Sequence, residues 1–272
     1  MRRHQSTRIS CWSAAVPVVA NPAMKLAALL LCVCVTASAA LSDKELDSIG
    51  RRVWQNECGG TRDGLTSWNT GENFASLGIG HFIWYSKGGD GPFEESFPKL
   101  VAYLEKNGAG VPGWLRPDLD CPWSSRDEFQ KEFRSPRMNE LRDLLASTIR
   151  LQSRFLAERM EAALPKMLKE APAAQREQIR ENFQRLASTA PGTFALIDYV
   201  NFKGEGTKSE ERYKGEGWGL LQVLANMRGG SARDFGESAA EVLERRVRNS
   251  PPARNEERWL PGWKARVRAY GQ

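Results

Sequence analysis

Apolar residues first recur at helical spacing at Leu46, Ile49, Val53 and Trp54. Ahead of them Ser42-Asp43-Lys44-Glu45 forms a capping box, and Gly59-Gly60 supplies a stop. The pattern then shifts to two strand-like runs, 65–68 and 74–85, joined by Asn69-Thr70-Gly71, a hairpin signal. Beyond residue 93 the period returns to that of a helix. Helices are predicted over 93–106, 127–133, 136–169, 173–188, 193–202, 218–227, 236–249 and 262–270, with a Pro-, Gly- and Trp-rich loop containing 111–123. No repeat period and no long polar linker interrupts the series. The predicted fold class is α+β and predominantly α: a helix, a small β-hairpin and a multi-helix body in a single domain over 40–272.

The amino-terminal segment reads differently. Met24-Lys25 precedes an unbroken apolar run over 26–35, and Ala37-Ser38-Ala39 places small residues where a signal peptidase reads. The run is short for a membrane span. Residues 1–39 are therefore expected to be a leader and secretory signal, with Met24 as the expected true start. The remainder is expected to be periplasmic or secreted, with no integral membrane segment. The formal net charge of +6 falls to +2 once Arg2, Arg3, Arg8 and Lys25 leave with a segment that carries no acid. Nucleic acid as a partner thereby loses its main support. Two cysteines remain, Cys58 and Cys121. In an oxidising compartment they read as a disulfide worth about 4 kcal/mol of loop-closure entropy; two unpaired buried thiols are the alternative.

Candidate chemistry begins at Glu57. It lies four residues after Val53 on the apolar stripe and in the last turn of the first helix. A dry face and the negative end of the helix dipole both favour a protonated carboxyl, the state a general acid needs. A surface glutamate on a slightly rotated helix is the alternative. In Ser76-Leu77-Gly78-Ile79-Gly80-His81, strand alternation puts Ser76, Gly78 and Gly80 on one nearly bare face open to a bulky ligand. His81 falls on the inward face and reads as a core or supporting histidine. With no second histidine after the leader, a zinc site or a Ser-His-Asp triad has little to build on. No metal and no cofactor is implied.

Glu57 at a helix end, a glycine-bearing hairpin and the run Ser76 to His81 together resemble the active-site segment of phage-type lysozymes (endolysins). That family pairs a helix-terminal glutamate with a second strand reading Thr-x-Gly-x-Gly-His. The resemblance implies a lysozyme-like fold and cleavage of peptidoglycan or a related polysaccharide by a monomer. It implies Glu57 as the acid and Ser76 in the threonine's place, orienting water or sugar. The segment Phe194-Ala195-Leu196 to Gly204-Glu205-Gly206 and the helix at Leu243-Glu244-Arg245-Arg246 are weaker echoes of the same family, while 88–190 has no counterpart there. Where the family carries an aspartate, Asn69 lies nearest, with Glu72 and Asp63 beside it. Either Glu72 takes over as the second carboxylate, the choice put forward, or that group is missing and Glu72 is a solvated turn residue.

Gly78, Gly80, Asn69 and Trp84 are the expected substrate-binding residues, and His81, Cys58 and Cys121 the expected structural ones. Trp68, Tyr85, Trp123 and Trp218 are further candidate flat faces for sugar rings. The segment from Gly217 to Val223 resembles the Gly-Leu-Met-Gln stretch of lytic transglycosylases, but it lies far downstream of Glu57 and reads as a glycine-started helix lining a cleft. From Arg228 onward ten Lys/Arg face six Asp/Glu, read as a solvated helical face. Two other functions remain open: a non-catalytic wall-binding module of lysozyme-like fold, and a cell-wall cysteine peptidase using Cys58 and His81. Against the peptidase, Cys58 follows a helix carboxyl end, where the dipole opposes ionisation.

Overall fold

The computed structural model describes residues 41–272 except 92, 117 and 119; the expected leader and the start at Met24 lie outside the described residues. Helix α1 (Asp43–Cys58) starts as the sequence predicts. Ser42 N–H donates to Glu45 Oε2 at 2.9 Å, and Glu45 N–H returns to Ser42 Oγ at 3.3 Å. It ends where Gly59 turns left-handed, at φ 62°. Leu46, Ile49 and Val53 are buried along its stripe.

The expected hairpin is a three-stranded antiparallel meander. Strands β1 (Thr66–Ser67), β2 (Phe74–Leu77) and β3 (Phe82–Tyr85) pair in that order, with Thr66 opposite Leu77 and Ser76 opposite Ile83. The long second run of the sequence pattern is thus broken by a turn over 78–81. Glycine permits that turn: Gly78 sits at φ 71°, and His81, a residue type that tolerates the left-handed region, at φ 48°.

The helical body follows. It comprises α2 (Phe97–Lys106), α3 (Arg126–Lys131), α4 (Pro136–Ser147), α5 (Ile149–Glu170), α6 (Arg176–Ala187), α7 (Ala190–Lys203), α8 (Leu220–Asn226), α9 (Ala232–Asn249) and α10 (Leu260–Arg268). A two-stranded ribbon, β4 (Arg212–Tyr213) with β5 (Glu216–Gly217), lies between α7 and α8. The single helix expected over 136–169 is two, broken at Thr148. The Thr148 hydroxyl bonds back to Leu144 O at 2.7 Å, and its backbone leaves the helical region at ψ 19°. The break serves the meander: buried Gln152, one turn on, donates to Leu145 O and Thr148 Oγ1 and accepts the Ile79 N–H at 3.0 Å.

One core cluster runs from Ile49 to Tyr270, so α1, the meander and the carboxy-terminal helices share it. Among the described residues the fold is α+β and predominantly α. No described helix is long and apolar enough to cross a membrane.

The cysteines depart from expectation. Cys58 and Cys121 are both buried free thiols, and no disulfide joins them. Cys58 Sγ donates to Gly78 O at 3.5 Å, at one end of β3, whereas Cys121 bridges Ser86 at the other. About 13 Å of strand separates those ends, against the roughly 7 Å between Cα atoms that a disulfide tolerates. Burial pushes each thiol up to about 12. The expected result is that iodoacetamide at pH 8 leaves both thiols intact in the native protein and modifies both in urea. Mass spectrometry showing a bridged pair in the folded chain would contradict it.

Candidate active site

A cleft of about 570 Å³ opens between the meander and the helices facing it, α5 and α7. Alternate residues of β2 and its approach, Glu72, Phe74 and Ser76, line one wall, as the two-residue period of a strand requires. Leu156 and Arg159 of α5 and Asn201 of α7 line the other, and the loop after α7 contributes Glu205 and Glu211. Glu57, Asn69, Gly80 and His81 also line it. The acid, the serine, Glu72 and Asn69 chosen from sequence therefore share one concavity.

Glu57 leaves the last turn of α1 with its side chain only 13% exposed. Its Oε1 accepts a hydrogen bond from Arg266 Nη2, and its Oε2 lies 3.4 Å from His81 Nδ1. Arg266, on α10, is itself gripped by Asp198 of α7: Nε and Nη2 donate to the two carboxylate oxygens at 2.8 Å each. Asn56 Nδ2 at 3.0 Å and Tyr270 O–H at 2.6 Å also donate to Asp198, whose side chain is fully buried. Burial works against the Arg266 charge. The Asp198 hydrogen bonds and the charges of Asp198 and Glu57 outweigh it and hold the guanidinium above its ordinary range. The acid is dry, as the helix pattern predicts, but it is also latched to a cation, which that pattern did not reveal.

His81 is not on an inward strand face. It occupies the turn, faces the cleft beside Glu57 and is 30% exposed. Desolvation lowers its imidazole from the ordinary 6.5; Glu57 and Glu72 pull the other way, and Arg266 adds to the lowering. A histidine held neutral by the fold contributes stability that is fully present above pH 6.5 and is lost as pH falls through its lowered native value. Urea midpoints measured between about pH 7 and 5 are therefore expected to fall with acidification. His81→Gln is expected to flatten that slope, and an unchanged slope would remove His81 as its source.

Ser76 is 5% exposed, and its hydroxyl engages no other described residue, so it is free for water or ligand. Glu72 Oε2 is buried without a hydrogen-bond partner, while the Glu72 carbonyl accepts from Trp68 Nε1 at 2.8 Å. Asp63 is turned away toward Arg134 and Arg142, at 2.9 and 3.7 Å.

Several expected binding residues are elsewhere. Trp84 is in the core between Phe97 and Trp123, with ring centroids 5.0 and 6.4 Å away. Trp68, Tyr85, Trp123 and Trp218 are buried as well. Trp218 lies beneath Arg246, 4.1 Å from its ring centre, rather than in the cleft. Gly78 does not line the cleft and Gly80 does, and both sites are closely packed. A Cβ on Gly78 would lie 2.5 Å from Gln152 Oε1, and one on Gly80 would lie 2.9 Å from the Phe82 ring and 3.1 Å from Leu156. Nor is the basic tail merely solvated, because Arg246 and Arg266 are both drawn inward onto Glu256 and Asp198.

Arg266, Asp198 and Glu211 were missed in sequence. Asp198 had a signal: an acid inside the apolar run Phe194 to Val200 demands a buried partner. Glu211 had none. Burial raises its carboxyl, and its Oε2 is a second unpartnered buried oxygen on the cleft.

Among the described residues no group of three or more His, Cys, Asp or Glu side chains is gathered to hold a metal ion. Comparison of the chain with protein-family models, with curated proteins and with solved structures finds no match in any of the three.

Proposed function

We propose that this chain is an exported glycoside hydrolase of the lysozyme-like kind, cleaving peptidoglycan glycan strands with Glu57 as general acid. The observation that carries the reading is the convergence of Glu57, Ser76, Glu72 and Asn69 on one cleft of ligand-binding size. A proton on Glu57 passes to the glycosidic oxygen as the bond breaks. Arg266 keeps two hydrogen bonds to Asp198 when Glu57 is neutral, so its charge is never stranded. Glu72, with an oxygen free of protein partners, acts on the anomeric side as base or stabiliser. The Ser76 hydroxyl orients water or sugar. A Cys58 nucleophile fits poorly: its thiol is buried, turned to Gly78 O and hard to ionise.

One observation favours a second reading, a non-catalytic wall-binding module that keeps the same cleft. The Arg266 contact holds Glu57 Oε1, one of the two oxygens able to carry the proton. Incubating the purified chain with purified peptidoglycan separates the two. New reducing ends in the soluble fraction support the hydrolase. Sedimentation of the chain with intact wall and no new ends supports the module. Neither outcome, with a folded chain, removes both.

A further inference from the structure

Two large hydrophobic side chains are exposed among the described residues, Phe93 at 55% and Trp259 at 41%. Trp259 stacks on Trp263, carries the Arg258 guanidinium 4.4 Å from its ring centre, and does not line the cleft. Phe93 is different, because it lines the cleft that holds Glu57.

Its exposure is imposed by the fold. The Phe93 N–H donates to Tyr85 Oη at 3.2 Å, and the same hydroxyl donates to Phe93 O at 3.3 Å. Tyr85 is buried and anchored edge-on against Phe74, at 5.5 Å between ring centres. Gly91 completes the clamp, since a Cβ there would meet Tyr85 Oη at 2.6 Å. The Phe93 ring meets Phe74 in a T-shaped pair at 5.9 Å and 80°. Such a pair uses at most one face of either ring, so a flat face of Phe93 is left open at the rim.

Glu72, two residues before Phe74, and Glu211 both line the same cleft. An open aromatic face on a cleft lined by carboxylates suits a ligand with a flat C–H face and O–H or N–H donors at its edge. A pyranose ring has both. A hydrocarbon chain would cover the ring and leave the acids unmet.

We propose that Phe93 is a stacking platform for a sugar ring at the mouth of the cleft, with Glu72 and Glu211 accepting hydrogen bonds from the ligand. This rests on the glycan reading above and extends it to a binding position in the segment for which the lysozyme resemblance offers no counterpart. The test is calorimetric titration of the full chain carrying Glu57→Gln, so that nothing is hydrolysed. The probe is a soluble hexasaccharide of alternating N-acetylglucosamine and N-acetylmuramic acid, freed of peptide. Adding Phe93→Ala is expected to weaken binding about 5- to 10-fold, and Phe93→Trp to restore it. Equal affinity in the Phe93→Ala chain would overturn the platform while leaving the glycan reading intact. No binding by the Glu57→Gln chain itself would overturn both. If Phe93→Ala alters the oligomeric state and leaves saccharide affinity unchanged, the ring is a contact between copies and the platform is likewise overturned.

Discussion

Asp198→Ala is expected to destabilise the protein by about 3–5 kcal/mol, the usual cost of leaving one member of a buried ion pair uncompensated. Four donor hydrogen bonds converge on that carboxylate, two from Arg266 and one each from Asn56 and Tyr270. Alanine removes both Asp198 oxygens at once and leaves a guanidinium, only 16% exposed, with Glu57 as its one remaining carboxylate partner. Asp198→Asn keeps the volume and part of the bonding, so its loss should be smaller. Urea unfolding with an unchanged m-value reads the difference directly. An unfolding free energy for Asp198→Ala within about 0.5 kcal/mol of wild type, the range of ordinary surface substitutions, would mean that the cluster is not what holds α7 to α10.

The second large effect concerns chemistry. Glu57→Gln is expected to lower the rate of reducing-end release from peptidoglycan by about 10²–10⁴-fold, the span that a positioned proton donor contributes. The fold should survive, because Arg266 retains both bonds to Asp198 and glutamine matches the shape of glutamate. Activity and thermal midpoint must therefore separate: rate lost, midpoint nearly kept. Equal rates in the two chains would take Glu57 out of the mechanism. A parallel fall in midpoint would recast it as a structural partner of Arg266.

How far the sequence reveals this arrangement depends on the range of each interaction. The α1 cap, its stripe and its glycine stop are local, and Ser42, Val53 and Gly59 behave as their spacing predicts. The break at Thr148 was hidden because it follows from Gln152 reaching across to Ile79, a tertiary demand that overrides helical period. The run Ser76 to His81 misled for a related reason. Alternation presumes a straight strand, whereas the left-handed Gly78 and His81 fold it into a turn and bring the imidazole around to Glu57. Of the site, Glu57, Ser76, Glu72, Asn69 and Gly80 were legible and do line the cleft. Trp84 was not placed correctly, since a tryptophan next to a candidate site packs as readily inward as outward. The cysteine pairing failed on distance, which spacing in a sequence does not encode.

The bond between Arg266 and Glu57 joins residues 209 positions apart. Ribosomes deliver the chain amino end first, so a growing polypeptide carries the carboxylate long before its cation has been made. Through most of synthesis the cleft is an unfinished shape, with one wall lacking the helix that braces it. Any fragment truncated before α10 inherits that incompleteness. The contact between α1 and α10 is thus among the last that the chain can close.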